Sequence, residues 1–123
     1  MKHTILIVDD EENIRLSLKG GLEDEGYNTL LAGCGEDAVR IIEKQDVDLI
    51  LLDIWMPGKD GLQLLEELKN SGFTIPVIIM TGHGSIETAI RATRLGAPDF
   101  IEKPLDLNKN IITINNTLPI KAL

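Results

Sequence analysis

The chain has one cysteine, four aromatic residues, no apolar run long enough to cross a bilayer and, over 123 residues, too few bases to balance its acids. Each shortage closes a class of function. Cys34 has no partner for an internal disulfide or a cysteine-based metal site, which points to a reducing, cytoplasmic setting and an inert thiol. Tyr27, Trp55, Phe73 and Phe100 are too few to make a base-stacking platform, so the core must be aliphatic. Twelve Lys+Arg against 20 Asp+Glu leave a net charge of −8, a field that repels phosphate backbones and argues against direct nucleic-acid binding. The first residues, Met1-Lys2-His3-Thr4, lead into a short apolar tetrad closed by acids, which is neither an export signal nor a span of the roughly 20 residues a bilayer requires.

What the chain does have is 43% hydrophobic residues, enough for one core at this length. Five short apolar runs recur: Ile5–Val8, Thr29–Ala32, Leu49–Leu52, Val77–Met80 and Phe100-Ile101. Most are continuous rather than alternating, as in strands buried on both faces. Between them apolar residues take helical spacing: Ile14, Leu18, Leu22; Ala38, Ile41, Ile42; Leu62, Leu65, Leu68; Ile86, Ala89, Ile90, Thr93; and finally Leu107, Ile111, Ile114, Leu118. Strand and helix in alternation predict a doubly wound α/β domain, a parallel sheet with helices on both faces. Gly26, Gly72 and Gly96 punctuate helix ends, and Ser85 is placed to cap the fourth helix. Gly20-Gly21 conflicts with the first helix at about 1 kcal/mol per glycine, which packing of Leu18 and Leu22 must override. Pro119 disfavours a longer last helix.

In such a sheet, ligands gather beyond the carboxyl ends of the strands. The chain places Asp9-Asp10 after the first run, Asp53 after the third, Thr81 after the fourth and Lys103 after the fifth, whereas the second ends in Ala32-Gly33-Cys34 with nothing charged. Acids before Asn13-Ile14 could simply favour a helix dipole. The convergence of acids, hydroxyl and amine on one edge instead indicates a site. Three carboxylates against Lys103 leave a local charge of −2, which a hard divalent cation with oxygen ligands would cancel. His83, a single histidine among hard acids, does not make a transition-metal centre.

Four segments taken together resemble the receiver domain of two-component response regulators, from Ile5 to about Leu118. They are Ile7-Val8-Asp9-Asp10-Glu11, Leu51-Leu52-Asp53-Ile54-Trp55-Met56-Pro57-Gly58-Lys59-Asp60-Gly61, Met80-Thr81-Gly82-His83-Gly84 and Glu102-Lys103-Pro104-Leu105. The resemblance implies a flavodoxin/CheY-like sheet of five strands in the order 2-1-3-4-5 with five helices, and a single domain over residues 1–123. It implies Asp53 as phosphoacceptor from a sensor histidine kinase. Mg²⁺ would be held by Asp10 and Asp53 directly, by Asp9 through water and by the backbone carbonyl of Trp55. Thr81, the Gly82 N–H and Lys103 would bind the phosphoryl group, Thr81 and Phe100 would switch, and the peptide before Pro104 would be cis. The domain would speed its own phosphorylation, from phosphohistidine or small acyl phosphates, and its own dephosphorylation. Trp55 and His83 fall at the rim of that site, with His83 tuning water access. Thr81-Gly82-His83-Gly84 and Asp53-Ile54-Trp55-Met56-Pro57-Gly58 resemble the NtrC-type, enhancer-binding branch, whose members join the receiver to an ATPase module and a DNA-binding domain, neither of which is in this chain. That implies transcriptional control, and a surface of fourth helix, fifth strand and fifth helix that favours a homodimer when phosphorylated. Pro98 departs from the family pattern and stiffens the start of the fifth strand.

Two rivals share parts of this pattern. A haloacid-dehalogenase-type phosphatase also forms an aspartyl phosphate, but it needs a second Asp two residues after its nucleophile, where this chain has Trp55. A binding module of the pseudo-receiver or flavodoxin kind would do no covalent chemistry, and Asp-Asp-Glu-Glu in the first turn repels an anionic cofactor rather than cradling it. The acidity is also uneven: residues 1–84 hold 16 acids and 7 bases, and residues 85–123 hold 4 acids and 5 bases. The expected signalling face is thus near neutral and meets a copy of itself without strong repulsion.

Overall fold

The computed structural model describes residues 2–54, 61–81, 90, 94, 99–102 and 113–118, and for Leu62, Thr81 and residues 99–102 the backbone alone. Five strands, β1 (Thr4–Val8), β2 (Asn28–Ala32), β3 (Leu49–Asp53), β4 (Val77–Thr81) and β5 (Asp99–Glu102), lie in one parallel sheet of order β2-β1-β3-β4-β5. Each grows out of one of the apolar runs, lengthened by a residue or two. Helices α1 (Glu12–Asp24), α2 (Gly35–Lys44) and α3 (Gly61–Asn70) make the first crossovers. Ile90 and Arg94 are helical and exposed; Ser85, Gly96, Pro98 and the rest of the expected fourth helix lie outside the described residues. Residues 113–117 are helical as expected, and Ile114 is buried.

The continuous runs are continuous because the sheet is covered twice. Leu6, Val8, Ile50, Leu52 and Ile79 point to one side, where α2 and α3 supply Ala38, Ile42, Leu64, Leu65 and Leu68. Ile5, Ile7, Leu49, Leu51, Ile78 and Met80 point to the other, against Leu18 and Leu22 of α1 and against Ile114. At about 1.5–3 kcal/mol for each fully buried aliphatic side chain, these two layers dominate the stabilisation. They also hold α1 together across Gly20-Gly21, since Leu18 and Leu22, one turn apart on either side of the pair, are sealed in the core.

α1 closes at Gly26 and α3 at Gly72, both with positive φ, which lets Tyr27 and Phe73 return their N–H groups to the Leu22 and Leu68 carbonyls at 3.1 and 3.2 Å. The expected apolar stripe of α3 gains a member: Leu64 is fully buried beside Leu65 and Leu68. His3 is half-buried, with its ring centroid 6.4 Å from that of Tyr27. Among the described residues no helix is long and apolar enough to cross a membrane.

Candidate functional site

Sheet register builds the site. Val8 pairs with Leu52, so the next residues, Asp9 and Asp53, leave the carboxyl edges of β1 and β3 side by side. Asp53 pairs in turn with Met80 of β4, which places Thr81 one residue beyond it, and Thr81 pairs with Glu102, the residue before Lys103. β2 lies at the far edge of the sheet, in keeping with its lack of charged residues at that end.

The turn after β1 is held by several bonds. The Asp9 N–H donates to the Ala32 carbonyl at 3.1 Å, and the Asp9 carboxylate accepts the Glu11 N–H at 2.9 Å, tying it to the start of α1. Arg15, one turn into α1, donates from Nη1 to the Asp9 carbonyl at 2.6 Å. Asp9 and Asp53 are buried, at 0% and 3% exposure, while Asp10 faces solvent. One carboxylate oxygen from each of the three lies within 4.8 Å of the others. At that separation two buried charges repel by roughly 3.5 kcal/mol at an effective dielectric of about 20. Two oxygens on opposite poles of a Mg²⁺ ion stand about 4.2 Å apart, so three all-oxygen donors this close, two of them buried, suit a small hard cation.

Gly61, the first residue of α3, locks the back of the site. Its N–H donates to the Ile54 carbonyl at 2.9 Å, and a β-carbon there would run into the Asp53 carbonyl and stand 2.7 Å from the Ile54 Cα. The sequence marks Gly61 only as the end of a motif; the contact shows why it is glycine. Arg15 goes unnoticed in the sequence, where a lone arginine after four acids reads as surface charge.

Of the expected site residues, the structure brings Asp9, Asp10 and Asp53 together and places the backbone of Thr81 and Phe100 on β4 and β5, Phe100 paired with Ile79. Trp55, Gly82, His83, Lys103 and Pro104 lie outside the described residues.

The family model for the response regulator receiver domain matches residues 5–115. The chain belongs to that family. The receiver is 44% identical over 97% of its length to an NtrX-like response regulator of Rickettsia typhi, of which it covers 26%. It is 38% identical to sporulation initiation phosphotransferase F of Bacillus subtilis, with 99% of this chain and 98% of that protein aligned. The crystal structure of the receiver domain of NtrX from Brucella abortus superposes with a TM-score of 0.88 at 44% identity, covering 93% of this chain and 97% of that one. The receiver thus spans about a quarter of the length of the NtrX-like regulators it matches. The resemblance to the NtrC-type branch stands with these relatives, and the domain is one of phosphorylation-dependent signalling rather than a haloacid-dehalogenase-type phosphatase.

Proposed function

We propose that this receiver accepts a phosphoryl group on Asp53 from the phosphohistidine of a sensor histidine kinase. The observation that carries the reading is the approach of Asp9, Asp10 and Asp53 within 4.8 Å at the carboxyl edge of a receiver sheet. An oxygen of Asp53 attacks phosphorus, the P–N bond breaks, and the imidazole leaves with the electron pair while an acyl phosphate forms. Asp10 and Asp53 would hold Mg²⁺ directly, with Asp9 through water and the Trp55 carbonyl completing the protein ligands. When bound, Mg²⁺ neutralises charge spread over the equatorial phosphoryl oxygens. The Thr81 hydroxyl, the Gly82 N–H and the Lys103 ammonium share that task from the neighbouring strand ends, and the same groups speed both self-phosphorylation from small acyl phosphates and dephosphorylation. Trp55 and His83 border the site, His83 governing the approach of water.

The acyl phosphate adds charge and acceptor oxygens, draws Thr81 inward and lets Phe100 follow. The surface around β5 then favours a second copy of the chain. In a longer, cytoplasmic regulator of the NtrC type, that change is passed to an ATPase module and a DNA-binding domain that control transcription. The direct test is intact mass after treatment with acetyl phosphate and Mg²⁺. The wild type gains one phosphoryl group and Asp53→Asn gains none; equal labelling of the two overturns the assignment.

A further inference from the structure

Arg15 occupies a position that the acid site does not explain by itself. Its Nη1 donates to the main-chain carbonyl of Asp9 at 2.6 Å, while the same guanidinium lies over Gly33 in the turn between β2 and α2. A β-carbon on Gly33 would stand 3.4 Å from Nη1 and 3.8 Å from Cζ. The side chain therefore runs from α1 across the β2–α2 turn to the residue that opens the acid pair. Asp9 is held at three atoms: its N–H by Ala32, its carboxylate by the Glu11 N–H and its carbonyl by Arg15. The carbonyl belongs to the peptide that joins Asp9 to Asp10, so its direction sets where the exposed Asp10 carboxylate stands relative to the buried Asp53.

We propose that Arg15, seated over Gly33, is a positioning residue for the divalent-cation site, orienting the Asp9–Asp10 peptide so that the two acids converge with Asp53. The proposal rests on the reading of those three acids as the cation site and adds two residues to it. A planar guanidinium suits the role because it donates in a fixed direction and tolerates close packing on a backbone, which a lysine ammonium does not reproduce. At Gly33 a β-carbon would just meet the guanidinium in van der Waals contact, so a branched side chain, with atoms beyond the β-carbon, would compete for the space the guanidinium fills.

Charge and position make opposite predictions here. An arginine beside a cation site repels the cation, so if Arg15 acted only through its charge, removing it would tighten Mg²⁺ binding. If it positions the acids, removing it loosens binding, by about tenfold on the scale of groups that orient metal ligands. Mg²⁺ alone, titrated without any phosphodonor and followed by the fluorescence of Trp55, two residues after Asp53 and the chain's single tryptophan, reads this directly. Arg15→Met, which keeps an apolar stem, is expected to bind Mg²⁺ about tenfold more weakly. Gly33→Val, which keeps the charge and crowds the guanidinium, is expected to weaken binding as well, and to add nothing in the Arg15→Met background. Equal or tighter binding by Arg15→Met, or by Gly33→Val should Arg15→Met not fold, overturns the proposal. A wild type that shows no response to Mg²⁺ overturns the cation site itself, whereas a responsive wild type matched by Arg15→Met overturns only the role of Arg15.

Discussion

Gly61 donates its N–H to the carbonyl of Ile54 at 2.9 Å, at a separation where a β-carbon on Gly61 would stand 2.7 Å from the Ile54 Cα. Backbone is packed on backbone, with no flexible side chain to yield. Gly61→Ala must push the start of α3 away from the end of β3 and disturb Asp53 with it. The expected loss is about 1–3 kcal/mol, the range for overpacking a close contact, measured as a lowered urea midpoint at unchanged slope. A midpoint equal to that of the wild type would show that α3 shifts without resistance.

Relief of repulsion among the three acids gives a second expectation. A cation that binds only the folded chain stabilises it by about 1.4 kcal/mol at ten times its dissociation constant. Mg²⁺ should therefore raise the urea midpoint of the wild type, and the gain should shrink in Asp53→Asn, which removes one buried carboxylate. The same rise in both proteins would place the ion elsewhere.

Gly20 is exposed, lies inside α1 and, apart from the backbone of its own helix, has none of the described residues within 4 Å of where its β-carbon would be. Gly20→Ala should stabilise the fold by about 0.5–1 kcal/mol, because alanine loses less backbone entropy on entering a helix. Thermal or urea unfolding reads the gain, and a loss would mean that α1 uses the freedom of glycine.

Thr29 of β2 buries its hydroxyl oxygen without a hydrogen-bond partner among the described residues. Thr29→Val replaces that hydroxyl with a methyl group and should gain about 1 kcal/mol. Destabilisation by valine would reveal a partner for the hydroxyl in solution.

Tyr27 has its phenol held above the usual tyrosine range, first by burial and second by the Glu25 carboxylate. The folded chain thus favours the neutral phenol. The associated stability is fully present below pH 10, the ordinary tyrosine value, and is lost as pH rises through the higher folded value. Unfolding midpoints taken across that alkaline window should fall less steeply for Tyr27→Phe than for the wild type; parallel curves would remove Tyr27 as the cause.

β1, β3 and β4 were legible because burial on both faces leaves a run of apolar residues with little polar interruption, and all five strands appear at one of the short apolar runs. The acids Asp9, Asp10 and Asp53 were legible for a related reason: each follows such a run, and a parallel sheet sends all of those ends to one edge. Arg15 was hidden because its partners, the Asp9 carbonyl and Gly33, belong to turns after two different strands, and spacing along one helix carries no information about either. The partial burial of His3 was hidden on the same ground, since its neighbour Tyr27 arrives only when β2 pairs with β1.

Local chemistry therefore determined the elements, the double-sided core and the kind of groups at the site, because periodicity and strand-end position act within short stretches of chain. Which oxygens lie within 4.8 Å of one another, why Gly61 carries no side chain, and that Arg15 lies over Gly33 were decided only by tertiary structure. Those relations depend on the register between β1 and β3 and on how closely α1 and α3 approach the turns, distances set by the packing of both cores together.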